Sequence, residues 1–162
     1  MNLKQRMFLK PLFLAGLIMA AFSVGPSTDA SGQSDSVQAK LDENLKKWSS
    51  IKKTNYEYTF QLTCYCAQEI TRPVRISVLE GEVEEVEYTG SGQQADITKF
   101  EYYLKTERLF KIIQDAIDRK AQRIDVSYHS EFGYPKSVYI DYKKSMIDDE
   151  IRFEVEDLVI SK

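Results

Sequence analysis

The two cysteines of the chain, Cys64 and Cys66, are its most reactive side chains, and only Tyr65 separates them. They end a segment in which apolar and polar residues alternate, which predicts a strand. In a flat strand, residues two apart share a face, with Cα atoms about 6.5–7 Å apart, at or beyond the limit of disulfide geometry. A bridge therefore requires the strand to end or bend between them, and an oxidising compartment would favour it.

We expect an intramolecular Cys64–Cys66 disulfide, and two alternatives stay open: free thiols on the sheet face, or redox or metal use of the pair. The bridge closes a very small loop, so its entropic stabilisation should be small. His129 could complete a zinc site with the two cysteines and a carboxylate. The alternation instead places it at a strand end, where a solvated histidine is the simpler interpretation. No metal or cofactor is predicted.

Three of the ten tyrosines, Tyr65, Tyr134 and Tyr139, fall outside the predicted core positions. We expect them to be exposed near the cysteine loop and the turn at Pro135, as a possible binding surface, since exposed tyrosine favours recognition. The alternative is that they cover strand edges of an ordinary sheet. Acidic residues cluster at 80–87 and 148–150 without the spacing of a calcium loop, which favours solvated faces.

The composition excludes several classes of function. The chain has 162 residues, the size of one domain, with one histidine and two cysteines. These numbers exclude a three-histidine zinc site, a four-cysteine zinc site and a scaffold of several disulfides. The net charge of −3 does not indicate nucleic-acid binding. No nucleophile-elbow motif occurs and nothing selects a carboxylate pair for hydrolysis, so we expect no enzymatic activity.

Residues 1–30 resemble a signal peptide. Lys4, Arg6 and Lys10 form a positive region, the segment from Leu12 to Val24 is apolar, and small and polar residues follow. The apolar run is too short for a comfortable membrane span. The sequence therefore predicts export, and an uncleaved N-terminal anchor is the alternative.

Cleavage is expected after Ala30 or after Ser23, and no cysteine near the junction offers a site for lipidation. Removing residues 1–30 takes away three positive side chains and Asp29, which leaves a net charge of −5. The remaining chain has no second apolar stretch of membrane length. We therefore expect a soluble periplasmic or secreted protein with no membrane span after cleavage.

The periodicity of the remaining chain predicts one α+β domain. Ser31–Asp35 is expected to be a polar tether, and a first helix capped by Ser34 or Asp35 completes the segment 31–53. Residues 54–162 form the α+β part, which together with the first helix makes one domain. Its predicted elements are strands near 56–66, 74–78 and 83–88, a second helix capped by Thr106, and strands near 124–128, 138–142 and 151–155.

The order αβββαβββ favours an antiparallel sheet with two helices packed on one face. Phe60 and Ile113 are expected in the core. A tight turn is expected at Glu80-Gly81, and a bulge between Val83 and Val86. The two halves align at an offset of 62 residues, with Pro73 on Pro135, which suggests an internal duplication.

Several short motifs resemble those of a family of small exported bacterial proteins catalogued as a domain of unknown function, DUF6174. They span roughly Tyr56 to Leu158, and the most specific are the Cys-x-Cys pair and the Gly-Tyr-Pro to Asp hairpin. The motifs are Tyr56-Glu57-Tyr58-Thr59-Phe60, Cys64-Tyr65-Cys66, Pro73-Val74-Arg75-Ile76-Ser77-Val78 with Gly81, Leu109-Phe110, Ile124-Asp125-Val126-Ser127-Tyr128, Gly133-Tyr134-Pro135, Tyr139-Ile140-Asp141 and Asp148-Asp149-Glu150. The resemblance implies export and a single small domain, and it implies no activity.

Two hypotheses for function follow from these observations. The first is an exported, non-enzymatic module that binds an unknown protein or another envelope component through its sheet face or hairpin loops. The second is a redox- or metal-responsive protein that uses Cys64 and Cys66. A hydrolase with a carboxylate pair is the weakest alternative.

Overall fold

The structure, a computed structural model, describes residues 30–51, 54–143 and 149–161. The predicted signal peptide up to residue 29 lies outside the described residues. Most of the turn before the last strand, 144–148, also lies outside them, including one residue of the predicted acidic cluster, Asp148.

The described chain contains three α-helices and six strands. Helix α1 spans Ala30–Ser50, β1 Asn55–Cys64, α2 Gln68–Thr71, β2 Val74–Leu79 and β3 Glu82–Tyr88. A 3₁₀ turn at Ile97–Phe100 precedes α3 (Thr106–Asp118), β4 (Arg123–Tyr128), β5 (Pro135–Asp141) and β6 (Ile151–Ser161). The strands form one antiparallel sheet in the order β3-β2-β1-β6-β5-β4, so the predicted α+β class is confirmed.

One face of the sheet is buried under α1 and α3. Along β1 the side chains alternate between buried and solvent-accessible, as the period of two predicts. Phe60 on β1 and Ile113 on α3 are both 0% exposed, which confirms the two predicted core positions. The opposite face carries polar side chains from β1, β5 and β6, and no described helix packs on it.

The helices differ from the prediction in three ways. Helix α1 begins at Ala30, so it continues through the segment expected to be a tether, because each added residue of a formed helix gains one hydrogen bond. The one-turn α2 lies where a loop was expected, so the predicted order αβββαβββ with two helices is only partly matched. Lys105 caps α3 in place of Thr106, which is the first helical residue and is fully buried.

The topology argues against the predicted internal duplication. Viewed from the helical side with β1 pointing up, β2 and β3 follow on one side of it. When the view is turned until β4 points up, β5 and β6 follow on the other side. The two three-stranded meanders therefore run in opposite senses, and no rotation superposes them. The matching prolines reflect the shared spacing of helices and strands.

The hairpin between β2 and β3 has the predicted turn. Glu80 and Gly81 have φ angles of 52° and 81°, the left-handed conformation that a two-residue type I′ turn requires at both positions. The predicted bulge is also present, because Ser77 pairs with Glu85 whereas Val78 pairs with Val83. The turn is fixed to the start of β1 by a hydrogen bond from the Glu80 N–H to Asn55 Oδ1.

Candidate functional site

The cysteine pair lies where β1 ends. Cys64 is the last residue of the strand and is joined to Cys66 by a disulfide, with Cα atoms 5.3 Å apart. This separation is shorter than a flat strand would give, as expected if the strand ends between the two residues. Cys64 is half-buried, and Tyr65 and Cys66 project into solvent.

A row of polar side chains crosses the open face of the sheet beside the disulfide. Thr63 on β1 pairs with Arg152 on β6, which pairs with Tyr139 on β5, which pairs with Asp125 on β4. Cross-strand neighbours in an antiparallel sheet have Cβ atoms about 5 Å apart, so these four side chains lie next to one another in that order. The register of the strands thus brings together residues that are far apart along the chain.

Tyr139 lies between two arginines: Arg152, which belongs to this row, and Arg123, which lies on β4. The guanidinium carbons of Arg123 and Arg152 are 5.2 Å and 5.3 Å from the centre of the Tyr139 ring, within the range of cation–π contacts. Arg123 also donates to Asp125 Oδ2 from Nε at 2.7 Å, with Nη2 of the same guanidinium 2.6 Å from that oxygen. The tyrosine ring is thereby held in place on the open face.

The Tyr139 hydroxyl has an acidic environment. Partial desolvation raises the pKa of Tyr139, the Glu150 carboxylate raises it further by accepting a hydrogen bond, and the charge of Asp141 acts in the same direction. The positive charge of Arg123 opposes these effects. The hydroxyl therefore keeps its proton at neutral pH and remains a hydrogen-bond donor.

Tyr65 and Tyr139 line the same cleft, which has a volume of about 210 Å³. The side chain of Tyr65 is 85% exposed, as predicted, and that of Tyr139 is half-buried. The cleft is completed by Thr63, Cys64, Glu150, Ile151 and Arg152. This Tyr65–Tyr139 cleft combines two aromatic rings, a guanidinium group and a carboxylate, groups that suit recognition of a polar partner.

Tyr134, the third predicted surface tyrosine, is buried, so its expected exposure is wrong. Its side chain is 4% exposed and packs edge-on against Trp48 of α1 at 6.0 Å. The neighbouring Gly133 brings the β4–β5 turn so close to α1 that Tyr134 enters the core. The Gly-Tyr-Pro motif therefore describes a packing contact between this turn and α1.

His129 belongs to the same turn and is half-buried rather than solvated. Its ring stacks on Phe132 at 5.0 Å and on Tyr134 at 4.9 Å, and its Nδ1 accepts a hydrogen bond from the Phe132 N–H at 3.2 Å. These contacts give the histidine a structural part in the turn.

The alternative zinc site is not assembled. The β4–β5–β6–β1 register places Cys64 level with Ile124, so His129 is displaced from Cys64 by five residues along the strand direction, about 16 Å, and by three strand spacings across the sheet, about 14 Å. Among the described residues, no three His, Cys, Asp or Glu side chains lie close enough together to hold a metal ion.

Arg123 and Arg152, the two arginines beside Tyr139, are not among the site residues predicted from the sequence. Both occupy positions that alternate with core residues of their strands, Arg123 before Ile124 and Arg152 before Phe153. Alternation alone therefore predicts that they face away from the core. Only the pairing order of β4, β5 and β6 brings them to Tyr139, and the alternation pattern does not predict that order.

None of the helices in the described ranges combines the length and the apolar character that a bilayer span requires. No curated protein and no solved structure gives a significant match to the chain. One family model does match, the family of unknown function DUF6174, over residues 40–160. That match includes the disulfide, the Tyr65–Tyr139 cleft and the Gly133–Pro135 turn, and the chain therefore belongs to this family of unknown function.

Proposed function

We propose that this chain is an exported, non-enzymatic module that binds a protein or another envelope component through the open face of its sheet. The observation that carries the proposal is the Tyr139 ring, held between Arg123 and Arg152 on a face that no described helix covers. Tyrosine and arginine are the residues that most often dominate the energy of protein interfaces. The exposed Tyr65 beside them extends the same surface.

Two further features support this proposal. Holding Tyr139 between two guanidinium groups lowers the conformational entropy that binding would otherwise cost. The N-terminal segment with the character of a signal peptide would deliver the module to the envelope or the medium.

The test is site-specific photo-crosslinking in intact cells of the native host. A photoreactive phenylalanine analogue replaces Tyr65 in one version of the protein and Tyr102 in the control. Tyr102 is 75% exposed but precedes α3 on the helical side, so it matches Tyr65 in exposure and not in location. We expect a discrete crosslinked product from position 65 that is absent from position 102.

A second pair of variants tests the energetic part of the proposal. In the background with the analogue at position 65, Tyr139→Ala should reduce the yield of crosslinked product at least fivefold, whereas Tyr102→Ala should leave it unchanged, because interface energy is concentrated in a few residues. Equal products from positions 65 and 102, or a yield that does not respond to Tyr139→Ala, would contradict binding at this surface.

Redox-dependent binding is a second candidate, favoured by the position of the disulfide. Cys64 lines the Tyr65–Tyr139 cleft and Cys66 is exposed, so an external dithiol could reach the bridge. Exchange would convert that dithiol into a disulfide and the bridge into two thiols, which would release Tyr65 from its constrained loop. Thiol titration combined with crosslinking from position 65, before and after reduction, tests this idea. An unchanged yield after full reduction would argue against it.

A further inference from the structure

Strand β6 is longer than its neighbour β5 and extends past it. Pairing between the two strands covers only Ile151 to Glu154 of β6. From Val155 to Ser161, β6 pairs with β1 on one side, and no strand in the described ranges pairs with it on the other. We call this unpaired stretch the β6 edge.

The β6 edge is open because β5 begins late. The turn before Pro135 is drawn toward α1 through Gly133, whose Cα approaches the helix backbone at Asn44. The chain therefore reaches the plane of the sheet only at Pro135, which the β5–β6 register places level with Glu156, and β6 extends past it from Asp157 to Ser161. A notch remains between the β4–β5 turn and the β6 edge.

A strand edge presents N–H and C=O groups in a row that a further strand can pair with. The outer edge of β3 is partly covered, because the Ala95 N–H donates to the Val86 carbonyl and the Tyr88 N–H to the Gln93 carbonyl. No comparable backbone hydrogen bond between described residues reaches the β6 edge.

The notch is large enough to hold an added segment of chain. Its volume is about 700 Å³, its floor includes Tyr134, Val155 and Leu158, and Ser127, Ser137 and His129 line its side. Five of the seven residues of the β6 edge, Asp157 to Ser161, lie beyond the start of β5, which corresponds to an extended length of ~17 Å. These dimensions fit a single extended strand.

The rim of the notch carries mainly negative charge. Glu154, Glu156 and Asp157 line it, and Lys136 is the one Lys or Arg among the described residues of its lining. Two copies of the chain that paired through this edge would bring their acidic rims together, which is unfavourable. The edge bends at Asp157, where φ is 52° and the register with β1 shifts. The favoured occupant is therefore a different chain with positive side chains.

We propose that the β6 edge binds an extended, lysine- or arginine-bearing segment of a partner protein as an added strand of the sheet. Main-chain hydrogen bonds supply the affinity in this mode, and alternate side chains supply the specificity. The carboxylates of Glu156 and Asp157 attract the positive side chains. This inference rests on the proposed binding function and specifies the class of partner and how that partner lies on the sheet.

The test uses the peptide Ac-Lys-Val-Lys-Val-Lys-Val-Lys-NH2 and the purified chain lacking residues 1–30. Amide shifts in NMR titrations should concentrate at residues 155–161 and around Ser137. Successive N–H groups of a strand point to opposite sides. One peptide variant is therefore methylated at the backbone nitrogens of its valines and another at those of its lysines, so that each variant loses the hydrogen-bond donors of one side only. One methylated peptide should bind at least tenfold more weakly than the parent, and the other should bind comparably.

Charge variants of the protein complete the test. The double variant Glu156→Gln with Asp157→Asn should weaken binding of the parent peptide about three- to tenfold. Asparagine is chosen for position 157 because it tolerates the positive φ there. The control Glu84→Gln with Glu101→Gln removes the same charge from exposed positions elsewhere and should leave the affinity unchanged. The acidic analogue, with glutamate for lysine, should not bind.

Three results would overturn the inference: equal affinity for both methylated peptides, shifts centred outside the β6 edge, or a concentration-dependent dimer that uses this edge. Binding at the Tyr65–Tyr139 cleft has separate readouts in crosslinking from position 65 and its response to Tyr139→Ala. Loss of those signals would instead count against the proposed function itself.

Discussion

Gly133 determines how closely the β4–β5 turn approaches α1. Its φ is 78°, and a Cβ atom there would lie 2.5 Å from the carbonyl oxygen of Asn44 and 2.8 Å from Cβ of Lys47. Glycine is therefore required for two separate reasons, the left-handed backbone and the close contact. No other residue type meets both requirements without moving the turn or the helix.

We expect Gly133→Ala to lower the free energy of unfolding by about 2–4 kcal/mol, the sum of backbone strain and overpacking. Gly92→Ala is the matched control, since φ is 62° there and the added Cβ would meet open space. The control should lose only about 1 kcal/mol. Urea denaturation of both variants measures the difference, and equal losses would show that the contact with α1 is unimportant.

Tyr56 is buried at the start of β1, next to Trp48 at 5.7 Å. Burial raises the pKa of Tyr56 to about 12, the nearby Glu107 carboxylate contributes to the increase, and Thr106 partly offsets it. A tyrosine in the unfolded chain has a pKa of about 10. Between about pH 10 and pH 12, Tyr56 therefore loses its proton in the unfolded chain and keeps it in the folded chain.

The stability of the protein should therefore be independent of Tyr56 ionisation below pH 10 and fall as the pH rises from 10 toward 12. The slope for one such group is at most about 1.4 kcal/mol per pH unit. Tyr56→Phe should make this decline shallower than it is in the unchanged protein. Urea denaturation at a series of pH values tests this, and identical slopes for the variant and the unchanged protein would contradict it.

At the scale of elements, the end of β1 and the disulfide depend on each other only weakly. The strand pairs with β2 as far as Phe60 and with β6 as far as Cys64, and its core side chains are buried without help from the bridge. The loop that the bridge closes is among the shortest possible, so it restricts the unfolded chain very little.

Replacing Cys64 and Cys66 together by serine should cost at most about 2 kcal/mol, and the variant should stay folded. Alkylation of the native protein without reductant, followed by mass spectrometry, should label no thiols. Two labelled thiols would refute the bridge. Collapse of the double variant would show that the pair organises the sheet.

The sequence was sufficient for the elements whose periodicity is regular. The alternation from Tyr56 to Leu62 predicts the buried face of β1, and Glu80-Gly81 predicts the turn of the β2–β3 hairpin, because both signals are local. Tyr134 was misassigned because its burial depends on the distant contact between Gly133 and α1. The same limit applies to Arg152 and the β6 edge, which follow from strand order and from the difference in length between β5 and β6.

At the scale of the whole molecule, export stays a prediction. Replacing Leu14 and Leu17 by lysine should interrupt the apolar run of residues 1–30 and retain the precursor in the cytoplasm. Immunoblots of cell fractions should then show the full-length chain, without the loss of about 3 kDa expected from cleavage. The conservative control is Leu14→Ile with Leu17→Ile. An exported, shortened lysine variant would refute the signal peptide.

The central strand pair, β1 with β6, joins residues 55–64 to residues 151–161. Contacts between segments so distant in sequence require a large loop to close first, which makes folding slow. During synthesis β1 has no neighbour on that side until the last strand has been made. The complete sheet therefore cannot form while the chain is still emerging from the ribosome. An incompletely folded chain is the state that passage through a narrow export channel requires, so this strand order suits the export that the sequence predicts.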